Sequence, residues 1–180
     1  CDEMTEAENA ALLREKGLNR REFAGIGAGV AALAVLPGCT TAGAAGSATA
    51  SRTVIIDTSD GKADAFFVYP SKGKHPAVIM WPDIAGLRDA YMTMGTRLAA
   101  AGFAVLVVNQ YYRSSPAPIL NSLMEWRAPA GQAKLKPMIA AITPAGTTSD
   151  AGAFVAWLDR QKEVNTKKRI GTCGYCMGGP

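Results

Sequence analysis

Histidine is almost missing from this chain: His75 is the only one in 180 residues. It stands before Pro76 in a turn that enters a strand, so it reads as a turn residue rather than a general base. Cysteine is scarce too, and its four copies do not form a disulfide framework. Cys1 precedes Met4, Cys39 falls in a leader-like stretch, and Cys173 and Cys176 share one turn. With one histidine and no second cysteine pair, no zinc site is expected, nor any other metal or cofactor. The formal charge of +4 is mild. Basic residues are scattered apart from Arg20-Arg21 and Lys167-Lys168-Arg169, so no stripe suited to nucleic acid is present. No apolar run reaches the roughly 20 residues of a membrane span, and no internal repeat is visible. What is present is a 48% hydrophobic composition, enough for one core, in a length that suits one domain.

Residues 1–51 read as a leader and linker. Asn19-Arg20-Arg21-Glu22-Phe23 resembles a twin-arginine export signal and precedes an uncharged Gly/Ala-rich stretch that fits an h-region. Leu36-Pro37-Gly38-Cys39 resembles a lipoprotein processing box, although Pro37 departs from it, and cleavage after Ala48-Thr49-Ala50 is the alternative. The expectation is an exported protein, periplasmic or secreted, with membrane attachment only through a lipid on Cys39. The folded domain is expected over 52–180.

Within it, Thr53–Asp57 and Ala63–Tyr69 predict two strands joined at Ser59-Asp60-Gly61. The wholly apolar Ala77–Met80 predicts a strand buried on both faces, and Phe103–Asn109 is the next buried strand. Tyr91, Met94, Leu98 and Ala101 recur at helical spacing before Gly102. Residues 110–130 read as loop with a turn of helix near Leu120–Trp126. Thr148-Ser149-Asp150 offers a cap for a helix reaching about Lys162, and Arg169–Cys173 predicts a final strand. Apolar runs alternating with helical patterns predict a largely parallel sheet covered by helices.

That final strand runs into Gly174-Tyr175-Cys176-Met177-Gly178-Gly179, a Gly-x-Cys-x-Gly elbow. A nucleophile at such a turn is thrust above the sheet, and glycines flank it because side chains would not fit. A helix N-terminus behind Cys176 would favour the thiolate. The Met177 amide is a candidate oxyanion donor. Two alternatives stay open: a buried cysteine in a glycine-rich turn, and a redox pair formed by Cys173 and Cys176. A third strand's end carries Pro82-Asp83-Ile84-Ala85-Gly86. There Ile84 is a candidate second oxyanion amide, and Asp83 either sits over the site or caps the next helix. Asn109-Gln110-Tyr111-Tyr112-Arg113 ends the fourth strand. Arg113 is either a clamp for a substrate carboxylate or a solvated loop residue.

Together these blocks resemble the dienelactone hydrolase family, whose elbow is usually Gly-Tyr-Cys-Leu-Gly-Gly. The resemblance covers about residue 52 to the end. It implies an α/β-hydrolase fold, truncated after the nucleophile elbow, with a mostly parallel sheet and flanking helices. It implies hydrolysis of a small lactone or ester, one that carries a carboxylate. Cys176 would attack, Met177 and Ile84 would hold the oxyanion, and Arg113, with Tyr111 and Asp83, would bind substrate. Residues 114–147 look longer and more proline-rich than usual for the family and would cap the pocket. Elbow hydrolases place their acid and histidine after the nucleophile. Both are therefore expected beyond Pro180, and residues 1–180 alone are expected to be an inactive fragment.

Overall fold

The computed structural model describes residues 47–179. The export-signal and Cys39 expectations lie outside them. Strands β1 (Thr49–Thr58) and β2 (Gly61–Pro70) form an antiparallel hairpin that closes at Thr58 and Gly61. β1 thus begins three residues ahead of the expected start at Arg52. β3 (Ala77–Trp81), β4 (Ala104–Val108) and β5 (Gly171–Gly174) complete a five-stranded sheet in the order β1-β2-β4-β3-β5. The parallel part is β4-β3-β5; β2 joins β4 antiparallel.

The central strand explains how the helices are placed. All five residues of β4 are buried, and successive side chains point to opposite faces. Val105 and Val107 pack with Val68, Met80, Tyr91 and Ala99, under helix α1 (Asp89–Ala100). Leu106 and Val108 pack with Phe67, Ile79, Phe154 and Leu158, under helix α4 (Pro144–Leu158). The face that α1 presents differs from the expected stripe. Tyr91, Gly95 and Ala99 are its buried residues, because the backbone lies so close to the sheet that a Cβ on Gly95 would come within 2.9 Å of Val107.

Two helices lie between β4 and α4, and the second departs from the expected loop. α2 (Leu123–Arg127) is the predicted turn, capped by Ser122 Oγ. α3 (Pro129–Ala140) was not expected, since Pro137 interrupts it and only Gly131 and Leu135 are buried. α4 also starts earlier than Thr148. Thr143 Oγ1 accepts from the Gly146 amide at 3.0 Å, and Pro144 occupies the first turn. Cap and proline are a sufficient start signal. The helix ends at Leu158 rather than near Lys162. α2, α3 and the loop after β3 share a third cluster, in which Ala85, Tyr111, Ile119, Leu120 and Leu135 are buried and Met177 packs at its margin. This cluster lies over the carboxyl ends of β3 and β4.

Candidate active site

β5 runs parallel to β3, with Cys173 opposite Met80 and Gly174 opposite Trp81. The Tyr175 amide donates to Trp81 O at 3.2 Å, and the chain then turns sharply. Cys176 has φ 53°, the only non-glycine with positive φ among the described residues. A β-carbon in that left-handed region is strained, and such strain concentrates at functional positions. The turn is too tight for side chains on either side. A Cβ on Gly174 would collide with the Gly178 carbonyl, and one on Gly178 would lie 2.6 Å from Pro82 O. The Cys176 side chain is exposed, and a single 3₁₀ turn, Cys176–Gly178, follows. Cys173 stays half-buried in the strand, where burial pushes its thiol up.

The loop after β3 is held from several sides. Asp83 O accepts from Gln110 Nε2 at 2.8 Å and from the Gly86 amide at 2.9 Å. In a trans peptide the N–H points opposite to the carbonyl, so pinning Asp83 O aims the Ile84 N–H the other way. On the next peptide, Tyr111 Oη donates to Ile84 O at 2.8 Å, and the Ala85 amide donates to Asp83 Oδ1 at 2.9 Å. Tyr111 Oη also lies 3.7 Å from Met177 Sδ, so one hydroxyl touches both candidate oxyanion residues. Among the described residues, neither the Ile84 nor the Met177 amide donates to a protein acceptor. Burial pushes the Tyr111 hydroxyl well above its ordinary range, with the nearby charges of Asp83 and Cys176 adding to the effect.

Asp83 works as a brace. Arg88 Nη1 and Nη2 donate to its two oxygens at 2.7 and 2.9 Å. Burial opposes its charge, but these bonds and the Ala85 amide hold its carboxyl below the usual range. Asp83 does not cap the next helix, since α1 follows Arg88 with no side-chain cap; its carboxylate holds its own turn and Arg88. The Asp83 amide donates to Tyr91 Oη at 3.0 Å, and the Tyr91 ring packs 5.6 Å from that of Tyr175. α1 thereby touches both the loop and the elbow.

Arg113 lines the same cleft of about 810 Å³ as Gly174, Met177 and Gly178. Its guanidinium is already engaged. Nε and Nη2 donate to Asp60 Oδ2 at 2.8 and 2.6 Å, while Nη1 and Nη2 donate to the two oxygens of Asp150 at 2.8 and 2.9 Å. Through these bonds Arg113 ties the hairpin turn to α4. His75 bonds Gly102 O and Lys72 O at the amino end of β3, across the sheet from the elbow. Arg88, Gln110 and Tyr91 were missed, as were Asp60 and Asp150. Only Gln110 carried a sequence signal, as a polar residue directly following a buried strand. Among the described residues no group of three His, Cys, Asp or Glu could hold a metal ion.

A parallel strand that ends in a left-handed cysteine between obligatory glycines, beside a braced loop from the neighbouring strand, defines an α/β-hydrolase. Residues 63–180 match the model of the dienelactone hydrolase family, and the chain belongs to that family. A Methylorubrum extorquens protein assigned as a carboxymethylenebutenolidase is 25% identical over 127 residues, covering 70% of this chain and 40% of that protein. A crystal structure of a Klebsiella pneumoniae protein assigned as a dienelactone hydrolase superposes with a TM-score of 0.59 at 18% identity, covering 73% of this chain and 51% of that one. A dienelactone-hydrolase-like promiscuous phosphotriesterase from metagenomic libraries gives 0.52 at 22% identity with the same coverage. The chain spans about half or less of the length of these relatives.

Proposed function

We propose that the whole protein carrying this chain hydrolyses small carboxylic esters or lactones through a thiol acyl-enzyme on Cys176. The observation that carries the reading is the positive φ of Cys176 between two glycines that tolerate no Cβ. That geometry spends backbone strain to lift one side chain clear of the sheet. In the reaction, Cys176 Sγ bonds to the ester carbonyl carbon and the negative charge moves to the carbonyl oxygen. The Ile84 and Met177 amides receive that oxyanion, and Tyr111, Gln110 and Asp83 hold the Ile84 loop in place. The C–O bond then breaks and the alcohol leaves protonated. Water attacks the thioester, releasing the acid and restoring the thiol. The base and its acidic partner are supplied from outside the described residues.

The test is turnover of 4-nitrophenyl acetate by the full-length protein. Cys176→Ser should lose at least about a hundredfold in kcat, whereas Cys173→Ser should stay near wild type. Equal losses in both variants, accompanied by disulfide-reductase activity in the wild type, would instead make the two thiols a redox pair.

A further inference from the structure

The elbow carries a second sulfur beside the nucleophile, and the proposed reaction has no use for it. Only the backbone amide of Met177 serves the oxyanion; its thioether is free for other chemistry. The side chain is partly buried at the margin of the third cluster, where Ile84 and Ile142 also pack. It lines the cleft of about 810 Å³, so a small oxidant entering that space meets it. Thioethers oxidise to sulfoxides, which turns a flexible apolar side chain into a polar one.

This sulfur faces a hydrogen bond on which the oxyanion loop depends. Tyr111 Oη lies 3.7 Å from Met177 Sδ and donates to Ile84 O at 2.8 Å. A phenol has one proton to give, and a thioether is a weak acceptor, so the proton stays with the carbonyl. Burial keeps that hydroxyl protonated. A sulfoxide oxygen is a stronger acceptor than the sulfur. In the epimer directed toward Tyr111 it comes within hydrogen-bond reach of a hydroxyl already 3.7 Å from the sulfur. It then competes with Ile84 O for the single proton.

We propose that Met177 is an oxidation site that turns the elbow down: a hydroperoxide converts its thioether to the sulfoxide, and the sulfoxide draws the Tyr111 hydroxyl away from Ile84 O. In the step, the sulfur lone pair attacks one peroxide oxygen. The S–O bond forms and the O–O bond breaks. The proton of the attacked oxygen passes to the leaving one, which departs as water or an alcohol. Sulfur is oxidised and the peroxide reduced. Methionine sulfoxide reductases reverse the change. The inference rests on the ester-hydrolase reading for its effect on rate, but the loosening of the Ile84 loop is read without turnover.

In the full-length protein, Cys173 and Cys176 are first blocked as methyl disulfides with methyl methanethiosulfonate, so that their thiols are shielded from peroxide. Hydrogen peroxide is then applied and removed, and dithiothreitol releases the thiols. Peptide mass mapping should show a sulfoxide on Met177. The kcat for 4-nitrophenyl acetate should fall about 5- to 50-fold with KM changed by less than about threefold, and methionine sulfoxide reductases should restore it. Amide hydrogen exchange over 83–86 should quicken with the sulfoxide. Each variant is compared with its own untreated sample. Met177→Leu, of similar volume, should keep its untreated kcat even though the 65% exposed Met124 is oxidised in it too. Tyr111→Phe has no hydroxyl to divert and should lose far less on oxidation than wild type. Three results overturn the inference: Met177 unoxidised while Met124 reacts, a Met177 sulfoxide with kcat and exchange unchanged, or a loss in either variant equal to that of wild type. If exchange quickens with the sulfoxide while untreated protein hydrolyses no ester, the oxidation site stands and the thiol-hydrolase reading falls.

Discussion

Tyr111→Phe isolates one hydrogen bond in the proposed machinery. The ring is 1% exposed and would keep its packing, so the variant loses only the hydroxyl that donates to Ile84 O at 2.8 Å. A fully buried carbonyl left without a partner costs about 1–3 kcal/mol, an upper bound for the half-buried Ile84 O. That cost falls on the loop that aims the Ile84 amide, because the flanking Asp83 O remains tied to Gln110 Nε2. Loss of one oxyanion donor lowers kcat by about 10²–10³. The donor here is loosened rather than removed, so a loss of about 5- to 50-fold in kcat follows, with KM changed by less than about threefold. Steady-state hydrolysis of 4-nitrophenyl acetate by the full-length protein, alongside a urea midpoint, separates the two effects. A lower midpoint with kcat intact would refute the reasoning, since the hydroxyl would then serve stability alone.

Gly178→Ala should abolish activity and lower soluble yield, because its Cβ would lie 2.6 Å from Pro82 O and 2.7 Å from Trp81 O, both backbone atoms. Normal expression with normal turnover would contradict the elbow geometry. Asp83 gives a pH dependence with a definite sign. Its folded-state carboxyl is held below the unfolded value, so the contribution is present above about pH 4 and is lost as pH falls through the folded value. Urea midpoints between about pH 6 and 3 should fall more steeply for wild type than for Asp83→Asn; equal slopes would remove Asp83 from the account. Export is proposed from Asn19-Arg20-Arg21-Glu22-Phe23. Replacing Arg20 and Arg21 with lysine should retain the protein in the cytoplasm, measured by its loss from the spheroplast supernatant.

Strands and the elbow were legible because their signals are local. Ala77–Met80 and Phe103–Val108 are apolar without interruption, as a strand covered on both faces needs. Gly174 and Gly178 announce a close approach that any side chain would block. α3 was hidden because Pro137 breaks its period and only Gly131 and Leu135 turn inward. The face of α1 was misjudged by one step because the smallest residue, Gly95, lies nearest the sheet. Arg113 shows a deeper limit. A motif identifies the residue, but whether its donors are open depends on Asp60 and Asp150, which lie 53 and 37 positions away in sequence. Gln110 was passed over for the same reason, since its unpaired acceptor exists only once Pro82 and Asp83 have claimed its nitrogen.

The central claim is that Cys176 carries the acyl group. Rapid acid quench of the full-length protein during 4-nitrophenyl acetate turnover, followed by peptide mass mapping, tests it directly. The account predicts an acetyl thioester on Cys176 that disappears as turnover ends. Acetylation confined to another residue, or turnover with an unmodified Cys176 that iodoacetamide also fails to reach, would contradict it.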